Sequence, residues 1–201
     1  MIKDWGAAYN DIVQGWFSNR MALNLKLSYD RPLKAAIAQA CILICKAIRE
    51  EKKILIFGNG GSAAEAQHFA AELVCKFEKD RPAIATIALT TDGSILTAQS
   101  NDYGFESVFA RQIDAFCCSG DVVIGLTTSD AGISHSKNIQ LAFEMARKKK
   151  GVSIGLFSQK TTNLLGVVDV AIIVPDNNTA LIQEAHLAII HLLCKLIEEE
   201  I

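Results

Sequence analysis

The chain has 201 residues, half of them hydrophobic, enough for one sizeable core and too few for two. Its formal net charge of -2 gives no electrostatic reason to expect nucleic acid or an anionic membrane as the main partner. The opening MIKDWGAAYN carries an early Asp4 and no apolar run of the secretion-signal kind, and no uninterrupted apolar segment reads as long enough to span a bilayer, so a soluble protein is expected.

In chain order, the first fifty residues hold no strong strand candidate. One helix is expected from about Tyr9 to Leu27. A turn at YDRP follows, where Pro32 steers Arg31 away from helix and suits a new start, and a second helix runs to about Glu51. Trp16, Phe17, Ile42 and Leu43 are apolar residues to spare. Residues 1–51 therefore read as a helical extension serving an oligomer interface, and 52–201 as the body, one domain overall.

The body alternates. KILIFG (53–58), AIATIAL (83–89), DVVIGLT (121–127), GVSIGLF (151–157) and DVAIIVP (169–175) are nearly continuous apolar runs, as buried parallel strands are. Helical patterns lie at 62–77, 103–117, 136–149 and 178–199. The expected fold is an α/β three-layer sandwich with a five-stranded, mostly parallel sheet. The six cysteines contain no CxxC pair and read as reduced, buried thiols of a cytosolic protein.

Ligands of open α/β sheets bind beyond the carboxyl ends of strands. Two such ends stand out. IFGNGGSA lets the backbone approach an anion closely, and the helix start offers free N–H groups. GLTTSDAGISHS (125–136) offers hydroxyls from Thr127, Thr128, Ser129, Ser134 and Ser136, or is simply a polar loop capping the next helix. Neither loop contains Lys or Arg, so neither is a Walker A loop. Gly58, Gly60 and Ala63 match the short dinucleotide fingerprint, with Asp92 placed for a ribose. The chain is short for two mononucleotide halves and a substrate domain, so no nucleotide cofactor is expected.

The helix launched from the glycine loop carries His68 and Glu72 at i, i+4, on one face, with Glu65 three residues before His68. His191 lies in an apolar run of the last helix. Gln183 is eight residues earlier, about 80° around and roughly 12 Å along. Either these two act at opposite ends of a substrate or one serves a neighbouring subunit's site; His186 is the alternative on this helix.

Together, GNGGSAAEAQHFAAEL, RPAIATIAL, SNDYGFE and LIQEAHLAIIHLLC resemble the phosphoheptose isomerases of the sugar isomerase (SIS) domain superfamily, from about residue 30 onward. The resemblance implies a cytoplasmic enzyme converting sedoheptulose 7-phosphate to D-glycero-D-manno-heptose 7-phosphate, toward the heptose of bacterial lipopolysaccharide. It also implies a homotetramer with active sites at subunit interfaces, and zinc in some members. By the same resemblance Asn59, Gly60, Gly61 and Ser62 belong to the substrate loop. Glu72 and His191 are the acid/base pair, and His68, Glu72, Gln183 and His191 the zinc ligands. Asn101 and Asp102 contact substrate, as does Gln183, and Thr127, Thr128, Ser129 and Ser136 form the phosphate loop. The alternative within the superfamily is a non-catalytic tetramer that binds a replication initiator or another sugar phosphate. Its members lack the equivalents of Glu72 and His191.

Three departures from the family pattern bear on the substrate. TTSDAGISHS is about four residues longer than the usual STSGNS and puts Asp130 in place of a glycine. A carboxylate beside a phosphate is repulsive, so Asp130 is expected to point away or the loop to bind differently. Leu181 replaces an arginine, and Lys76 stands where an arginine is common.

Overall fold

A computed structural model describes residues 5–132 and 136–201; Ser134 lies outside them. Helices α1 (Trp5–Tyr29) and α2 (Arg31–Arg49) meet at Asp30. Its carboxylate accepts the Leu33 N–H at 2.9 Å, and Pro32 occupies the first turn, so the expected turn is an N-cap.

Strands β1 (Ile54–Gly58), β2 (Thr86–Ala88), β3 (Val122–Leu126), β4 (Val152–Ser158) and β5 (Val170–Val174) form one sheet in the order β2-β1-β3-β4-β5. Every pairing is parallel. Side chains alternate across a strand, and here each face has its own core. Ile54, Ile56, Val122, Ile124, Ile154 and Ile172 pack with α2, α3 (Gly61–Val74) and α7 (Thr179–Glu200). Leu55, Phe57, Val123 and Phe157 pack with α5 (Val108–Phe116) and α6 (Lys137–Lys148). Burial on both sides is why the strands read as unbroken apolar runs. Gly125 in β3 lets Phe57 and Phe143 close over it; a Cβ there would strike both rings.

Three expectations need correction. Instead of one helix over 103–117, helix α4 (Gly93–Tyr103) begins ten residues earlier, and Gly104 at φ +90° breaks it from α5. No residue of α4 is buried, so its sequence shows no apolar stripe. Its N-cap is Asp92, accepting from Ile95 N–H at 2.9 Å, which gives that acid a local role in place of a ribose contact. Second, β2 spans three residues, not the seven of the AIATIAL run. Third, α7 is long and apolar enough to cross a membrane by length and composition. In this fold Leu181, Ile182, Ile189, Ile190, Leu193 and Ile197 are buried in the α2–α3 layer.

Candidate active site

Connections leave β1 and β3 toward opposite edges of the sheet, so their C-terminal ends open a crevice at the switch point. A cleft of about 1380 Å³ lies there, its wall including Asn59, Thr128, Ser129, Ser136, Lys137 and Asn138. Both loops singled out from the sequence meet in it. Asn59 and Asn138 exchange two amide hydrogen bonds, at 2.9 and 2.8 Å, and so tie the glycine loop to the start of α6.

Thr127, Ser129 and Ser136 turn their hydroxyls toward one another. The Oγ–Oγ separations are 3.3 Å for Thr127–Ser129, 3.3 Å for Thr127–Ser136 and 3.0 Å for Ser129–Ser136. Three hydroxyl donors this close suit the oxygens of one phosphate. Thr128 lines the cleft and its carbonyl accepts from Ser158 Oγ at 3.0 Å. Asp130 points away from these hydroxyls, as electrostatics requires. It accepts from Thr162 Oγ1 at 2.6 Å and from the N–H groups of Asn163 and Ala131. Desolvation works to raise its pKa, but the Thr162 hydroxyl and the backbone donors outweigh it and hold the carboxyl below its ordinary value.

Farther along α3 the helix packs beside α7. The Gln183 carboxamide lies so close over Gly61 that any Cβ there would collide with it. Two turns on, His68 Nε2 stands 2.9 Å from His191 Nε2 and 3.4 Å from Glu72 Oε1. Phe77 stacks on the His191 ring at 5.5 Å with planes 19° apart. Contacts that bring Gln183 to Gly61 and His191 to His68 lie within one chain. The 12 Å between Gln183 and His191 along α7 thus runs beside α3, from the substrate loop to the histidine pair.

Of the four residues nominated for zinc, His68 adjoins both Glu72 and His191, and Gln183 lies over Gly61. Among the described residues no three His, Cys, Asp or Glu side chains are spaced about a common metal position as they stand. The imidazole–imidazole spacing is that of a hydrogen bond. Asn101 and Asp102 lie on exposed α4, bonded to each other at 2.8 Å, outside the cleft wall. Ser62 is buried under the glycine loop. Leu181 is a core residue, so its difference from arginine falls inside the protein.

Beneath His68, Glu65 faces His186, with Oε2 4.0 Å from Nδ1. Among the described residues neither Glu65 oxygen nor His186 Nδ1 has a hydrogen-bond partner. Burial raises the Glu65 pKa to about 7 and lowers that of His186 to about 4. Both are therefore neutral near pH 6.

Sequence reasoning missed Asn138, Lys137 and Phe77 as parts of the site. The Ser136–Lys137–Asn138 spacing carried a signal for the first two. Phe77 carried none, because only tertiary packing brings it to His191.

A parallel sheet with a glycine loop and a hydroxyl cradle at its switch point defines a sugar-phosphate domain, and the SIS domain family matches residues 20–158. A phosphoheptose isomerase of Geobacter sp. (strain M21) is 47% identical over 169 residues, 84% of this chain and 86% of that protein. Phosphoheptose isomerase 2 of Campylobacter jejuni is 44% identical over 192 residues, 96% and 94% of the two chains. The solved phosphoheptose isomerase of Francisella tularensis superposes with a TM-score of 0.88 at 34% identity, covering 95% of this chain and 98% of its own. The chain belongs to the phosphoheptose isomerases of the SIS domain family.

Proposed function

We propose that the chain is an aldose–ketose isomerase that interconverts sedoheptulose 7-phosphate and D-glycero-D-manno-heptose 7-phosphate for bacterial heptose synthesis. One observation carries the reading: His68 and Glu72, on the helix that starts at the glycine loop, meet His191 of α7 beyond a cradle of three hydroxyls. The phosphate is held by Thr127, Ser129 and Ser136, with Lys137 the nearby cation in the cleft wall. The sugar then runs along α3 toward the histidines.

Glu72 takes the proton from C1 of the ketose while His191 protonates O2, giving a cis-enediol. His191 then removes the O1 proton as Glu72 returns a proton to C2, and the aldehyde forms at C1. Each side chain ends as it began. General acid–base help of this kind is worth roughly 10²–10⁴-fold. Zinc, where bound, would draw on His68, Glu72 and His191 and polarise the substrate carbonyl; every transfer above uses side chains alone. The non-catalytic alternative is disfavoured, since Glu72 and His191 are both present and both adjoin His68.

The active form is a cytoplasmic homotetramer. Support comes from α1, whose Ile12, Val13, Trp16, Phe17, Met21 and Leu25 are exposed along one helix, and from Asn101 and Asp102, which among the described residues lie outside the cleft wall.

The test is incubation with sedoheptulose 7-phosphate in D₂O, with and without added zinc, followed by NMR. Aldose carrying deuterium at C2 supports the reading. Neither aldose nor exchange under both conditions sinks it.

A further inference from the structure

Glu198, near the end of α7, gathers four donors. Oε1 accepts from the Phe77 N–H at 2.9 Å and Arg81 Nε at 3.1 Å; Oε2 accepts from the Glu78 and Lys79 N–H groups, each at 2.9 Å. The Glu198 side chain is 3% exposed and that of Arg81 7%, so the pair is out of water and fully engaged. The rest of the guanidinium reaches back to α3. Nη2 donates to the Glu72 carbonyl at 2.7 Å and Nη1 to the Leu73 carbonyl at 2.8 Å. These carbonyls have no partners within the helix, and a cation there also meets the negative end of its dipole. Phe77, anchored through its N–H, lays its ring on His191.

We infer that Glu198 and Arg81 are positioning residues for the acid/base pair. One buried carboxylate fixes the last turn of α3, which carries Glu72, and through Phe77 the ring plane of His191. The inference rests on the isomerase reading for its kinetic consequence but not for its geometry. Displacing a reacting group by about 1 Å costs roughly 10²-fold in rate. A purely structural ion pair would lower the melting temperature and leave turnover per folded molecule untouched.

Three variants test it. Glu198→Gln turns an amide toward donors that need an acceptor. Arg81→Lys keeps the charge but cannot reach Glu198 and two carbonyls together. Phe77→Leu removes the stack and leaves every hydrogen bond of Glu198. In each, kcat is expected to fall at least about tenfold with KM within about threefold. Lys195→Ala, which breaks only the exposed pair with Glu78 on the same segment, leaves kcat unchanged.

A second readout needs no turnover. The Nε2–Nε2 contact requires one ring nitrogen to carry a proton and the other to lack one, so the ¹⁵N shifts of His191 report how the proton is shared in that pair. Phe77→Leu and Glu198→Gln move them away from the wild-type values. Wild-type kcat and wild-type His191 shifts in both variants, with only a lower melting temperature, overturn the inference. If Glu198→Gln does not fold, Phe77→Leu decides. If the wild-type protein turns over no sugar phosphate, the isomerase reading fails and the ¹⁵N shifts still decide this one.

Discussion

His68 and His191 stand 123 positions apart in the chain yet within one hydrogen bond, and Glu72 adjoins them. Removing either end of the acid/base pair should therefore act on chemistry more than on affinity. Glu72→Gln and His191→Gln are each expected to lower kcat by roughly 10²–10⁴-fold with little change in KM, measured by steady-state kinetics. Glu65 and His186 make a different prediction. The raised carboxyl pKa contributes stability that is fully present below its ordinary value of 4.5 and is lost as pH rises to about 7. The lowered imidazole pKa contributes stability that is present above 6.5 and is lost as pH falls to about 4. Between 4.5 and 6.5 the two slopes oppose, since one group gains on unfolding the proton that the other gives up. Glu65→Gln removes one slope. Its stability should then fall below pH 6.5, by up to about 1.4 kcal/mol per pH unit. Melting curves across that range check this; a flat profile would falsify it.

At the scale of elements, the site depends on α3 and α7 lying side by side in one register. Gly61 gives the Gln183 carboxamide its place against α3, because that carboxamide occupies the space a side chain would take. Gly61→Ala should swing the Gln183 carboxamide out of its place over the glycine loop while α7 stays where it is. An increase in KM well beyond tenfold, with a modest loss of stability, is the expected result in kinetic and thermal assays; wild-type KM would contradict the packing argument. The same elements show what could be read from sequence. Buried strands announce themselves as apolar runs, because both faces of this sheet are covered. The turn into α2 was legible in Asp30 and Pro32, whose chemistry is local. Helix α4 was not, because it buries nothing. His68 and Glu72 could be paired by spacing alone. Their meeting with His191 was legible only through the family resemblance, and the bracket of Glu198, Arg81 and Phe77 not at all. No local pattern encodes a carboxylate that collects four donors from a loop more than a hundred residues away.

For the whole molecule, the surface that matters is α1. Ile12, Trp16, Phe17, Met21 and Leu25 are exposed around it while Leu23 turns inward to the core. Large apolar surface of this kind marks a contact with another chain. Phe17→Asp with Met21→Asp should shift the mass seen by light scattering from that of the proposed tetramer to smaller species, with loss of activity on dilution. An unchanged mass would show that the tetramer, if formed, uses another face.

The reciprocal amides of Asn59 and Asn138 bear on how the protein ages. Asn59 precedes Gly60, a sequence in which the asparagine carbonyl is readily attacked by the next backbone nitrogen, losing ammonia. Two hydrogen bonds hold that carboxamide toward α6 and keep it from turning onto the chain. Asn138→Ala releases it. On storage, peptide mass spectrometry should find Asn59 converting to aspartate faster in that variant, a new negative charge beside the phosphate cradle and a slow, irreversible decline of the enzyme.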